Sequence, residues 1–342
     1  MHCQSQALFR KPFQLTLKSC RFAARLRNAL KTHSGDWQTR WTSNHYTAPG
    51  ASDSASNLLT HIHSYGLDLP PQTHVVIRLI QAGQFGIVRY SFRPPQPKTT
   101  GIILLLHGYI LHSLCQAAFI SHLVSKGYEV VAFDWPGHGL SSGKRACISD
   151  FRIYALVLSS LIDSVERDQD TPMHLVAHST GCSAWIERTI NGLPDPFDKV
   201  ILISPLVRSA AWIASVTGAC IAKRIGLPLV PRVFRNSSHD MDYLNRLKYD
   251  PLAPWVLPIQ WTHTLIRWQR TLAHHSPHAK AINVFQGTRD TVVDWKHGLR
   301  MIHHLFPQAA IRRWKGQRHD LLNEGKIVRS QVFDAIDRIF EP

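Results

Sequence analysis

The chain has 342 residues, 44% of them hydrophobic, enough for one large α/β domain or two smaller ones. No uninterrupted apolar stretch approaches the roughly 20 residues that cross a bilayer, so a transmembrane helix is not expected. The net charge of +16 leaves anionic lipid, acidic protein and nucleic acid open as partners, but no nucleic-acid-binding motif accompanies it and nucleic acid is not expected.

Residues 1–57 read as a basic N-terminal extension that is expected to be flexible. Arg10, Lys11, Lys18, Arg21, Arg25, Arg27 and Lys31 all precede the first acid, Asp36. The segment lacks the apolar run and small-residue cleavage site of a secretory signal. Its composition fits a solvated tail, an arm lying on anionic membrane, or an organelle transit peptide. The expected location is cytoplasmic, with peripheral membrane contact through this arm. Six scattered cysteines without a C-x-x-C pair agree with free thiols in a reducing compartment. The histidine pairs His61/His63, His274/His275 and His303/His304 lack carboxylate or thiolate companions at ligand spacing, and H-E-x-x-H is absent. No metal and no cofactor are expected.

Beyond the extension, His74–Ile80 and Gly86–Phe92 read as two strands joined by a turn containing Gly83. A continuous apolar strand follows at Gly101–Leu106, as expected for a strand covered on both faces. Helix Cys115–Lys126, strand Tyr128–Phe133, helix Asp150–Arg167, strand Met173–Ala177, helix Ser179–Ile190 and strand Lys199–Ser204 come next. That alternation predicts a mainly parallel sheet with helices on both faces. Residues 205–277 interrupt it with scattered prolines, four tryptophans (Trp212, Trp255, Trp261, Trp268) and a helix at Ala210–Ile225, and read as an inserted helical cap. The core resumes with strand Ala281–Gln286, helix Trp295–Phe306, strand Ala310–Trp314 and a closing helix near Lys326–Phe340. The expected division is therefore core 58–204, cap 205–277 and core 278–342.

In an open parallel sheet, chemistry gathers beyond the C-terminal ends of the strands. His107-Gly108-Tyr109 follows the first parallel strand, His178-Ser179-Thr180-Gly181 follows Met173–Ala177, Asp290 follows Ala281–Gln286, and His319 follows Ala310–Trp314. A serine hydroxyl needs a base to take its proton, imidazole titrates in the range for that work, and a carboxylate fixes the imidazole tautomer. Ser179 is thus the candidate nucleophile, His319 the base and acid, and Asp290 the orienting carboxylate. Asp294 remains a rival acid, and Ser179 could also be read as a plain helix cap. The backbone N–H groups of Tyr109 and Thr180 are candidates for the oxyanion site. His107, Gly108, His178 and Trp212 are candidate substrate contacts.

Several pieces in order carry a family resemblance. They are His107-Gly108, Phe133-Asp134-Trp-Pro-Gly-His-Gly-Leu-Ser-Ser-Gly143, Ile148-Ser-Asp-Phe151, His178-Ser-Thr-Gly181, Leu202-Ile-Ser-Pro205, Gly287-x-x-Asp290-x-Val-Val-Asp294 and His319-Asp-Leu-Leu-Asn-Glu324. From about residue 74 onward the chain resembles the α/β-hydrolase superfamily, in its monoacylglycerol lipase, lysophospholipase and serine aminopeptidase S33-like group. The resemblance implies a cofactor-free serine hydrolase acting on lysophospholipid or monoacylglycerol-like esters through an acyl-enzyme. A small soluble ester or amide, and a catalytically silent binding module on the same fold, are the alternatives. Two departures from the group's pattern, Ala177 in place of a glycine and the bulk of Tyr109, could narrow the site.

Overall fold

Strand β4 (Ile102–Leu106) is apolar and buried at every position, and so is the middle of a sheet that must be covered on both sides. Because successive side chains of a strand alternate between faces, the sheet divides its apolar residues into two cores. Ile103, Leu105, Val130, Ala132, Val176 and Ile201 join one, and Ile102, Leu104, Leu106, Val131, Phe133 and Leu175 join the other. The computed structural model describes residues 64–95 and 99–341, the strand 36–40, and positions 24 and 62.

The sheet has nine strands in the order β1-β2-β3-β5-β4-β6-β7-β10-β11. These are β1 (Asp36–Arg40), β2 (His74–Ala82), β3 (Phe85–Arg93), β4, β5 (Glu129–Phe133), β6 (Met173–His178), β7 (Lys199–Ile203), β10 (Asn283–Gly287) and β11 (Ala310–Trp314). From β5 to β11 neighbouring strands are parallel, whereas β1, β2 and β3 run antiparallel to their neighbours. The β2–β3 hairpin closes through Gly83, whose φ of +56° is a value glycine adopts without strain. Helices α1 (Ala117–Ser125) and α8 (Lys326–Phe340) supply Phe119, Ile120, Val332 and Ile336 to the first core. Helices α2 (Phe151–Asp163), α3 (Thr180–Ile190) and α7 (Trp295–Leu305) supply Leu158, Trp185 and Ile302 to the second. The mostly parallel sheet flanked by helices thus agrees with the sequence reading.

Two features differ from that reading. The expected flexible extension and its membrane contact lie mostly outside the described residues, but Asp36–Arg40 within it forms edge strand β1, paired with β2 from Asp36↔Arg78 to Arg40↔His74. The predicted helix from Cys115 begins instead as a 3-10 turn at Ser113–Gln116, before α1. Between β7 and β10 no residue joins the nine-stranded sheet. That stretch holds α4 (Trp212–Arg224), α5 (Met241–Tyr249) and α6 (Ile259–Leu272), with a separate antiparallel pair β8 (Leu229–Pro231) and β9 (Val256–Pro258). No described helix is long and apolar enough to cross a membrane.

A buried ion pair ties this excursion to the core. His112, in the loop after β4, lies 2.8 Å from Asp250 Oδ2 at the end of α5. Asp250 Oδ1 accepts from the Tyr65 hydroxyl at 2.9 Å and from Leu252 N–H at 2.7 Å. Burial alone would raise the Asp250 carboxyl, but the His112 ring and these donors hold it down at about 2. Burial would likewise lower His112, yet Cys115 and the Asp250 carboxylate beside it push it well above 6.5. The Asp250 contribution to stability is present above pH 3.8 and is lost as pH falls through about 2. The His112 contribution is present below pH 6.5 and is lost as pH rises through its raised value. Between those limits, Asp250→Ala should lower the unfolding free energy by about 3–5 kcal/mol, because it strands a buried imidazolium. Urea denaturation measures this, and a loss below about 1 kcal/mol would show that the pair does not fasten the excursion.

Candidate active site

β6 ends at His178, and the chain turns at once into α3. Ser179 sits at the apex with φ 53° and ψ −112°, a conformation that costs a non-glycine residue about 1–3 kcal/mol. The turn is held because Ser179 N–H donates to Ile203 O at 2.9 Å and Leu206 N–H donates to Ser179 O at 3.2 Å. Gly181 makes the tight crossing possible: a Cβ there would stand 2.7 Å from Leu106 Cβ and 2.9 Å from Leu106 O. Ala177, the other small position, is wholly buried in β6. Thr180 is the first residue of α3, so its N–H has no acceptor within the helix.

Asp290 and His319 approach each other beyond the ends of β10 and β11. His319 Nδ1 donates to Asp290 Oδ2 at 2.8 Å. Asp290 Oδ1 accepts from the N–H groups of Val292 and Val293 at 2.8 and 3.0 Å, and Gln286 Nε2 donates to Oδ2 at 3.0 Å. Both side chains are buried. Burial would raise the Asp290 carboxyl, but the neighbouring imidazole and the donated hydrogen bonds hold it below its ordinary value. Burial would lower His319, but the Asp290 charge and hydrogen bond outweigh it and raise the ring above 6.5. Close approach depends on Gly287, since a Cβ at that position would lie 2.1 Å from Arg318 O, in the loop that carries His319. The rival acid is engaged elsewhere. Asp294 accepts from Arg208 at 2.7 and 3.0 Å and caps α7 through His297 N–H.

Ser179 and His319 line one cavity of about 520 Å³, together with Gly108, Tyr109 and His178. The His178 and His319 rings lie 4.8 Å apart, and His178 is depressed to about 4, mainly by burial. The bulk of Tyr109 is absorbed in the wall, where its ring stacks on Trp261 at 3.7 Å and its hydroxyl donates to Ala146 O at 2.7 Å. Much of the remaining wall is apolar and comes from β8, α5 and α6 with the segments between them, including Val230, Leu244, Leu247, Leu257 and Leu265, joined by Ile110, Leu111, Leu206 and Val292.

Two expected substrate contacts stand elsewhere. His107 is fully buried, with Nε2 accepting from Trp135 N–H at 3.0 Å and Nδ1 donating to Gly108 O at 2.8 Å. Burial depresses it to about 3, so it is a neutral brace for the loop after β4. Trp212 is not on the cavity wall. It packs, half-buried, against the sheet core and against Ala219, Ala222 and Ile259. The Asp134-Trp135 turn is also a brace: Asp134 accepts from Ser113 and Leu140 N–H at 2.9 and 2.8 Å and from the Tyr90 hydroxyl at 3.2 Å.

The family model for serine aminopeptidase, S33, matches residues 97–326. The chain belongs to this family. Monoglyceride lipase of Mus musculus is 31% identical over 273 residues, spanning 75% of this chain and 86% of the relative. Phospholipase YtpA of Bacillus subtilis is 26% identical over 252 residues, spanning 70% and 94%. Among solved structures, a soluble variant of monoglyceride lipase from Saccharomyces cerevisiae, in complex with a substrate analog, superposes with a TM-score of 0.68 at 17% identity, covering 81% of this chain and 98% of that one. The expected α/β-hydrolase fold is therefore the fold of this S33 family member.

Within this S33 chain, some site features had no sequence signal. Among the described residues one grouping has metal-ligating types, His112, Cys115 and Asp250, with the nearest atoms within 4.8 Å. The ion pair already occupies His112 Nε2 and Asp250 Oδ2, and the Arg232 guanidinium is close enough to sense both Cys115 and Asp250. A cation so placed opposes a dication, and the donor set is better described as a fastening. Arg232 itself lies on the cavity wall, buried, and a single arginine in a basic chain gives no warning of that.

Proposed function

We propose that the protein is a serine hydrolase that cleaves carboxylic esters of lipids, of the lysophospholipid or monoacylglycerol type, through an acyl-enzyme. One observation carries the reading. A serine on a strained turn and an imidazole already oriented by a buried carboxylate open onto one cavity, whose walls are mostly apolar. The names of the relatives, monoglyceride lipase and phospholipase, support the substrate class.

In this mechanism His319 Nε2 takes the proton of Ser179 as Oγ bonds to the ester carbonyl carbon. The carbonyl oxygen gains the negative charge and accepts from the N–H groups of Thr180 and Tyr109. The tetrahedral centre collapses, the carbon–oxygen bond to the alcohol breaks, and His319 returns its proton to the leaving oxygen. Water then attacks the acyl-enzyme with His319 again as base, releasing the fatty acid and restoring the serine hydroxyl. Asp290 keeps Nδ1 protonated, so Nε2 is the free acceptor, and it stabilises the imidazolium formed at each step. Residues 58–204 and 278–342 make the core in this reading. Residues 205–277 are a cap that takes the acyl chain and keeps water from the reacting carbon.

The test is to incubate the protein with a long-chain monoacylglycerol or lysophospholipid and, separately, with a fluorophosphonate probe. Fatty acid release and a labelled peptide containing Ser179 are expected, and failure of both would end the reading. The pH profile adds a second check. His319 must be neutral to accept the proton, and its folded value lies above 6.5 because the Asp290 charge favours the protonated ring. Turnover should therefore fall with decreasing pH through a midpoint above 6.5, measured as kcat/KM across pH. A midpoint well below that value would contradict the pairing of His319 with Asp290.

A further inference from the structure

A buried cation without a partner is expensive, because a guanidinium taken from water needs hydrogen-bond acceptors to replace it. Arg232, immediately after β8, is only 8% exposed and lies on the wall of the cavity that Ser179 and His319 share. Its Nε and Nη1 have no hydrogen-bond partner among the described residues. Its guanidinium carbon lies 4.5 Å from the ring centroid of Phe234, and a ring face does not match the in-plane N–H bonds of Nε and Nη1.

The acids nearby are already engaged. Asp250 is committed to His112, the Tyr65 hydroxyl and Leu252 N–H. Asp320, the one acid on the cavity wall among the described residues, accepts from the Tyr243 hydroxyl and from Asn323 Nδ2. Burial lowers Arg232 to about 10, so it stays charged at neutral pH. Arg235 and Lys248 stand on the same wall. An apolar cavity with a reactive serine at one place and a dry, unsatisfied guanidinium at another is built for a molecule with a fatty chain, an ester and an anion.

We infer that the cavity selects acyl esters whose alcohol carries a phosphate, with Arg232 as the group that holds the phosphate oxygens. The planar fork of N–H groups suits a tetrahedral oxyanion, and the additional charges of Arg235 and Lys248 favour a phosphate over a singly charged carboxylate. This deepens the proposed ester-hydrolase site, taking the phosphate-bearing branch of its substrate class over the neutral monoacylglycerol.

The test uses ligands that cannot be hydrolysed at a carboxylic ester, so it stands whether or not the serine chemistry does. Binding of a 1-O-alkylglycerol 3-phosphate, the matching 1-O-alkylglycerol and inorganic phosphate is measured by calorimetry on the full chain. The ether phosphate should bind about tenfold or more tightly than the neutral ether, the scale of one charge-assisted hydrogen bond. Arg232→Gln should remove most of that difference, and Arg232→Lys, which keeps the charge without the fork, should restore part of it. Equal binding of the two ethers by the unaltered protein would overturn the proposal, even if Arg232→Gln failed to fold. A preference undiminished in a folded Arg232→Gln would also overturn it, as would inorganic phosphate binding as tightly as the ether phosphate, since that describes a free-anion site. Hydrolysis of a neutral monoacylglycerol beside equal ether binding would reject this inference and leave the serine-hydrolase reading intact.

Discussion

Ser179→Ala is expected to lower ester turnover by at least about 10⁴-fold and to abolish fluorophosphonate labelling. The substitution removes one oxygen from a buried turn and leaves the backbone demand unchanged, since alanine tolerates φ 53° and ψ −112° no better than serine. Loss of activity with an unchanged melting temperature therefore reports on the nucleophile and not on folding. Ser179→Gly sharpens the point. Glycine adopts that conformation freely, so it should be inactive but more stable than the parent by about 1 kcal/mol. A serine kept at the cost of strain belongs to function, whereas a serine that merely caps α3 would be improved by neither change. Turnover within tenfold of the parent in Ser179→Ala would remove Ser179 from the chemistry.

The sheet was legible because its signal is redundant. β4, β5, β6 and β7 are short, largely apolar runs separated by helix-length stretches, and the residues beyond their ends carry small, polar and titratable side chains. Edge strand β1 was not legible. Asp36-Trp-Gln-Thr-Arg40 has neither an apolar run nor a clean alternation, and its pairing with β2 is a matter of backbone hydrogen bonds that composition does not reveal.

Side-chain placement was legible at the strand ends, where Ser179 and His319 come to one cavity and Asp290 meets His319. It was not legible where the function depends on which way a ring points. His107 and Trp212 have residue types suited to a pocket, but the first turns its nitrogens to Trp135 N–H and Gly108 O, and the second packs against the core. Arg232 shows the opposite case. Nothing in Leu-Val-Pro-Arg distinguishes it from the other basic residues of a chain with a charge of +16, and only the three-dimensional arrangement reveals that its Nε and Nη1 have no hydrogen-bond partner among the described residues.

Asp290→Asn is the second large effect, and the hydrogen bonds around the carboxylate fix its direction. Oδ1 accepts from two backbone N–H groups, Val292 and Val293, so an asparagine must keep its carbonyl oxygen there. Its NH₂ then takes the Oδ2 position and faces His319 Nδ1 and Gln286 Nε2. Gln286 can turn its own oxygen to meet that NH₂, at the cost of the hydrogen bond that its Nε2 donates to Gly287 O at 3.0 Å. His319 has no such freedom: Nδ1 must become the acceptor, and the ring proton moves to Nε2, where it blocks removal of the serine proton. kcat should fall by about 10⁴-fold with little change in KM, because the cavity that binds the substrate is untouched. Without the carboxylate the imidazolium also loses its chief support, and the residual activity should persist to lower pH than in the parent. Asp294→Asn separates the two acids. It weakens only the Arg208 contact and the cap of α7, so it should cost stability and little kcat. If the kinetic losses of the two variants were exchanged, the orienting acid would be Asp294, and His319 would have to leave its 2.8 Å contact with Asp290 during turnover.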